Sequence, residues 1–217
     1  MTPLQPTAGA PDFSAPSRYS NPFATCWTRP GAIPFLFSDE NTAERLVERL
    51  AAQNWLGEIV GPHGSGKSTL LAALVPVLER AGRRVFHFAL RDGQRLLPRD
   101  AWRRERFALR IIDGYEQLGW LHRLRLKIER RGGAGGLLIT SHRPTGLPPL
   151  IGLSPDRAVV ERIVARLRQQ APTPVTCADI AASYACHAGN VREILFELYD
   201  RHERLVDAKR TTPGHTP

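Results

Sequence analysis

Apolar residues along the chain follow two periodicities. Between residues 40 and 154, short apolar runs alternate with stretches whose apolar side chains recur every three or four positions. The first kind reads as strands buried on both faces, the second as amphipathic helices. The runs "GEIVG" (57–61), "RVFHFAL" (84–90), "ALRIID" (108–113), "GLLITS" (136–141) and "PLIGLS" (149–154) are the predicted strands. "ENTAERLVERLAAQN" (40–54) predicts a helix with Leu46, Val47 and Leu50 on its buried stripe. "KSTLLAALVPVLERAG" (67–82) predicts a second, kinked at Pro76 and capped by Gly82. In "YEQLGWLHRLRLKIERR" (115–131), Leu118, Leu121, Leu124 and Ile128 form the expected buried stripe, and Gly132 and Gly133 end it. Alternation of this kind predicts an α/β fold with a parallel sheet between two layers of helices.

From Pro155 onward the strand signals stop. "DRAVVERIVARLRQQ", "TCADIAASYACHA" and "GNVREILFELYDRHERLV" each repeat helical spacing, and Thr176 is placed to cap the second of them. The chain therefore divides into a core over 21–154 and a small all-helical lid over 155–206. Residues 1–20, rich in Pro, Ala and Ser, are expected to be a disordered tail, and 207–217 a flexible one. Residues 21–37 carry Phe23, Trp27, Phe35 and Phe37 among prolines, and read as an extended arm packed on the core.

Composition changes this picture little. A chain of 217 residues that is 42% hydrophobic can bury a real core. Cys26, Cys177 and Cys186 are odd in number and widely spaced, which fits no metal motif and no disulfide framework. No run approaches the ~20 apolar residues that span a bilayer, and the N-terminal residues lack a signal-peptide layout. The expectation is a cytoplasmic protein with no membrane partner. The net charge of +9 raises nucleic acid as a partner. Arginine outnumbers lysine so heavily, however, that codon bias accounts for much of it. The lysines are Lys67, Lys127 and Lys209.

Lys67 lies in "GPHGSGKST". Gly61, Pro62, His63, Gly64, Ser65, Gly66, Lys67, Ser68 and Thr69 follow a strand and open a helix, and satisfy G-x-x-x-x-G-K-[ST] in full. Glycines let backbone N–H groups turn inward around phosphates, and the helix points its positive end at them. Lys67 would reach the outer phosphates, and Ser68 would ligate Mg²⁺. This is a Walker A loop for ATP. A partner for the metal comes from "LRIIDGYEQL": four largely apolar strand residues deliver Asp113, the Walker B carboxylate, to a strand end. Glu116, three residues on, is the candidate base for the attacking water; its other reading is complementarity to a helix dipole. In "LLITSHRP", one of Thr140, Ser141 and His142 contacts the γ-phosphate, with Ser141 the first choice.

The order of P-loop, Walker B, polar strand end and helical lid resembles the AAA+ and STAND ATPases of the additional-strand P-loop class. "IIDGYEQ" is similar to the STAND hhhDGhDE pattern, and "LLITSHRP" to the STAND strand that ends Thr-Ser-Arg-Pro. "GNVREI" resembles the AAA+ sensor 2 motif, which implies that Arg192 reaches from the lid to the nucleotide. The resemblance spans residues 40–206. It implies a three-layer P-loop core followed by a lid, Mg-ATP as ligand, and a conformational switch driven by ATP binding and hydrolysis. It departs from AAA+ practice at Gly114, which stands where a catalytic glutamate usually follows the aspartate. Arg143 is the nearest arginine-finger candidate.

Three functions fit these residues. The first is an ATPase switch acting on a protein partner, with a nucleotide-dependent homo-oligomer among its expectations. The alternative is a small-molecule or nucleotide kinase, with "RLLPRDAWRRERF" (95–107) as its lid. The third is a DNA-associated ATPase, whose basic surface would combine Arg103, Arg104, Arg106, Arg123, Arg125, Lys127, Arg130 and Arg131. A GTPase is disfavoured because no Asn-Lys-x-Asp motif is present.

Overall fold

The computed structural model describes residues 21–91, 93–102, 105, 107–131 and 135–211. After a short helix α1 (Thr25–Thr28) and helix α2 (Ala43–Ala52), strands and helices alternate as β1 (Leu56–Val60), α3 (Lys67–Arg80), β2 (Arg84–Ala89), β3 (Ala108–Asp113), α4 (Trp120–Arg131), β4 (Gly136–Ser141) and β5 (Pro149–Gly152). Three helices follow: α5 (Arg157–Arg168), α6 (Cys177–His187) and α7 (Val191–Thr211). The strands form one sheet in the order β2-β3-β4-β1-β5. Every pairing is parallel, with Ile59 opposite Thr140, Ile112 opposite Ile139 and Ala89 opposite Asp113. All strand ends that carry candidate chemistry therefore lie along one edge.

Alternation within the strands feeds two cores. Ile59, Leu109, Ile111 and Leu138 pack against Leu46 and Leu50 of α2 and Leu70, Leu71, Leu74 and Leu78 of α3. Ile112, Leu137 and Ile139 face the other way, against Leu97, Ala101, Leu118 and Leu126. Each fully buried aliphatic side chain contributes about 1.5–3 kcal/mol, so these layers fix where the strand ends sit. Local signals agree with them. Thr42 accepts from the Arg45 amide to cap α2, and Thr176 with Asp179 forms a capping box on α6. After α3, the Arg83 amide reaches the Leu78 carbonyl and the Gly82 amide that of Glu79, a Schellman ending.

Three expectations need correction. In α4, Leu121 and Ile128 are 62% and 60% exposed, and the buried members are Leu126 and Glu129. Leu118 is buried, but it precedes the helix. The inward stripe is His122, Arg123, Leu126 and Glu129. It is held by polar partners: Arg123 Nε donates to the Leu118 carbonyl, and Glu129 accepts from Arg110 of β3 at 2.7 Å, with both ends nearly buried. Second, the arm is divided between two bodies. Phe23 and Trp27 pack with Val160, Val164, Ile180, Ile194 and Leu198 of the last three helices, whereas Phe35 and Phe37 pack on the core. Third, α7 continues to Thr211, through residues read as tail. Of the predicted basic cluster, Arg123, Arg125 and Lys127 have described side chains. Arg123 is turned onto carbonyls and Arg125 stacks on Trp102, its guanidinium carbon 3.9 Å from the ring centroid. Arg103, Arg104, Arg106, Gly132, Gly133, residues 1–20 and residues 212–217 lie outside the described residues, as do the side chains of Arg130 and Arg131.

Candidate nucleotide site

The loop after β1 and the ends of β3 and β4 meet at the carboxyl edge of the sheet. Ser68, in the first turn of α3, donates to Asp113 Oδ2 at 2.7 Å. Thr140 donates to the other oxygen, Oδ1, at 2.6 Å, and its own Oγ1 accepts from the Gly114 amide at 2.9 Å. Asp113 is thereby held between two hydroxyls from neighbouring elements, with the β3–β4 register placing Thr140 and the first turn of α3 placing Ser68. Among the described residues no group of three or more His, Cys, Asp or Glu side chains could cage a metal. One carboxylate beside one hydroxyl is instead the donor set that suits Mg²⁺, which keeps several waters and takes the remainder from phosphate.

Lys67 folds back on its loop, its Nζ donating to the carbonyls of Gly61 and Pro62 at 2.6 and 2.7 Å. Burial lowers its affinity for a proton. Glu116 and Asp113 oppose that effect, and Arg192 adds to it. An anion entering the loop would give the ammonium stronger acceptors than these carbonyls. Gly66 caps α3 in a left-handed conformation, and Ser65, buried, has an Oγ with no partner among the described residues. Thr69 lies in the first turn of α3 and is half-buried, and Pro62 and His63 are exposed at the loop surface.

The lid reaches the loop. A Cβ built at Gly64, whose φ is +67°, would overlap the Asn190 side-chain oxygen and stand 3.1 Å from the Arg192 amide. Asn190 accepts from the Glu193 amide at 3.4 Å, so the residue at the start of α7 is also the one against the loop tip. The backbone of Arg192 thus lies beside the loop tip, and its side chain is exposed. Asn190 escaped notice because only its contact, and no spacing in the sequence, marks it.

Glu116 sits in a single 3-10 turn, Tyr115–Gln117. Its Oε1 lies 3.2 Å from His142 Nε2, and its Oε2 is buried without a partner among the described residues. His63 packs on His142, ring centroids 3.7 Å apart. Burial pushes His142 below the ordinary histidine range; Glu116 opposes this, while Lys67 and His63 reinforce it. The departure at Gly114 has a geometric reason. Its φ is +84° and a Cβ there would stand 2.9 Å from the Leu90 carbonyl oxygen, so a glutamate would be both strained and crowded. The acidic side chain enters two residues later instead.

Ser141 differs from expectation. Its hydroxyl is turned onto the Arg143 carbonyl at 2.8 Å and the residue is buried. Of the three polar residues at the end of β4, Thr140 reaches Asp113 and His142 reaches Glu116.

No family model matches the sequence, and no curated protein does. Solved structures do. The Thermotoga maritima RuvB Holliday junction branch migration motor superposes with a TM-score of 0.55 at 16% identity, over 79% of this chain and 64% of that one. AMPPCP-bound DnaA from Aquifex aeolicus gives 0.52 at 18% identity, over 81% and 68% respectively. This chain spans under two thirds of the length of the RuvB chain. Sheet order, loop position and these two likenesses agree: the chain has the fold of the AAA+ P-loop NTPases.

Proposed function

We propose that residues 61–69 bind ATP with Mg²⁺, and that the protein is an ATPase working as a conformational switch. The observation that carries this is the Ser68–Asp113–Thr140 chain of hydrogen bonds at the mouth of the glycine loop. That donor set, with a lysine beside it whose present partners are neutral carbonyls, is what a triphosphate and its magnesium need. That the similar DnaA structure is AMPPCP-bound supports a nucleotide ligand here. Bound magnesium would neutralise phosphate charge and orient the tail. Ser68 and Asp113 would hold it, Lys67 would leave the Gly61 and Pro62 carbonyls for the phosphates, and Glu116 would take the proton of the attacking water. Arg192, arriving with the lid, would make lid position depend on what the loop holds.

The RuvB neighbour is a Holliday junction branch migration motor. With a charge of +9 here, DNA is the partner we infer, and a nucleotide-dependent oligomer the assembly. Among the described residues no helix is long and apolar enough to cross a membrane. All three cysteines are free and exposed, in keeping with a reducing, cytoplasmic setting.

Calorimetric titration with ATP and Mg²⁺, followed by turnover assays, tests the reading. Wild type should bind and hydrolyse, Lys67→Ala should do neither, and Glu116→Gln should hold ATP without turning it over. Absence of binding by folded wild type would overturn the proposal. Undiminished turnover in Glu116→Gln would remove Glu116 as the base and leave the binding site intact.

A further inference from the structure

Beside the loop, a pocket of about 460 Å³ opens between the start of α4 and the turn after β4. Its lining includes Tyr115, Glu116, Arg123, Lys127, His142 and Arg143. Three side chains of permanent positive charge thus face one carboxylate, and that carboxylate is already engaged by His142. Arg123 is pre-positioned: Nε and Nη2 donate to the carbonyls of Leu118 and Glu116 at 2.7 and 2.6 Å, and the guanidinium lies over the Tyr115 ring. Lys127 and Arg143 are exposed and form no ion pair among the described residues.

The turn that carries Arg143 is not loose. Ser141 Oγ donates to the Arg143 carbonyl, and Glu58, buried in β1, accepts from both the amide and the hydroxyl of Thr145 at 2.8 and 2.6 Å. A buried carboxylate in a central strand is costly unless it is satisfied. Here it fixes the backbone of the turn and leaves the Arg143 side chain available. A second pocket of about 270 Å³ adjoins the first, sharing Tyr115, Lys127 and Thr145, and continues between Leu126, Leu137 and Leu147. Lys127 borders both pockets, with Arg123 and Arg143 in the first and Leu126, Leu137 and Leu147 in the second, a lining that suits a ligand with an anionic head and an apolar body.

We propose that this double pocket binds a phosphate ester other than the loop nucleotide, its phosphate between Arg123, Lys127 and Arg143 and its apolar part towards Leu126, Leu137 and Leu147. Phosphate fits better than carboxylate because three separate cations line one pocket: a monoester offers three terminal oxygens and up to two charges, and a nucleic acid strand offers one charge on each successive phosphate. The phosphate could belong to a small monoester or to a nucleic acid strand. Either would sit against Glu116 and His142, so occupancy would be felt at the loop.

The test uses the Lys67→Ala protein, so that the glycine loop does not capture the probe. Phenyl phosphate, phenol and a decathymidylate lacking terminal phosphate are titrated separately by calorimetry. Phenyl phosphate should bind and phenol should not, and Lys127→Ala and Arg143→Ala, both at exposed positions, should each weaken binding roughly tenfold. Binding of decathymidylate alone, with the same dependence on both residues, would also support the proposal and assign the phosphate to a nucleic acid strand. Binding of neither phosphate probe, or binding indifferent to both substitutions, overturns it. ATP binding by the wild type is read separately, so this failure is distinct from failure of the nucleotide site.

Discussion

Gly64→Ala probes the contact between loop and lid. Two costs are built into that position. Holding alanine at φ +67° costs about 1–2 kcal/mol. The new methyl would also overlap the Asn190 side-chain oxygen and approach its Cγ to 2.8 Å, so the amide must swing away and release its cap on α7. Loss of an asparagine cap costs about 1 kcal/mol. The two costs separate in a double-mutant cycle. Asn190→Ala removes both overlapped atoms, so Gly64→Ala in that background retains the strain and loses the clash. The expected coupling is about 1 kcal/mol or more, which is roughly fivefold in affinity. It is read as binding of a fluorescent ATP analogue beside urea unfolding of all four proteins. Strictly additive effects on both measurements would refute a direct contact between loop tip and lid.

The Arg110–Glu129 pair joins β3 to α4, with side chains 8% and 10% exposed. Glu129→Ala should cost about 3–5 kcal/mol in urea, because it takes a charged partner from a buried guanidinium, whereas Arg110→Met with Glu129→Leu should return most of the loss. His202, buried at 2% exposure, contacts Thr173 Oγ1 at 2.9 Å through Nδ1. Burial lowers its pKa, with Glu203 opposing, so the folded state binds the proton less readily than the unfolded one. Its contribution is complete above about pH 6.5 and is lost as pH falls through the lower folded value. Melting temperature should therefore drop between pH 7 and 5, and His202→Gln should flatten that slope. Glu58→Ala should free the turn around Thr145 and speed amide exchange from residue 142 to 147, measured by mass spectrometry, without unfolding the sheet.

Much of the fold could be read from the chain because its signals were redundant. β3 and β4 end where apolar runs give way to Asp113 and Ser141, and Thr176 caps as its sequence implies. The loop and its aspartate were legible for the same reason, since motif and strand context coincided. The misreading of α4 has a physical cause. Periodicity weighs apolar residues alone, and Leu121, Leu124 and Ile128 formed a tidy stripe, yet the interior offered hydrogen-bonding groups. Arg110 in mid-strand and the carbonyls of Leu118 and Glu116 drew Glu129 and Arg123 inward, and the helix turned accordingly. At the site, the partners of Thr140 and His142 depend on which way strand-end side chains turn, a choice made by neighbours distant in sequence.

The aromatic arm gives the lid a second attachment. Asn21 donates to the Tyr199 carbonyl and the Glu203 carboxylate, and Phe23 is sunk among the lid helices. A dozen residues later, Phe35 rests on the core, with its ring edge 3.7 Å from where a Gly66 side chain would begin. The covalent link from β5 to α5 supplies the other attachment. A body pinned at two places can pivot but cannot drift off. Any swing of the last three helices consequently pulls on the strap, and the ring at its far end transmits that pull to the entrance of the glycine loop.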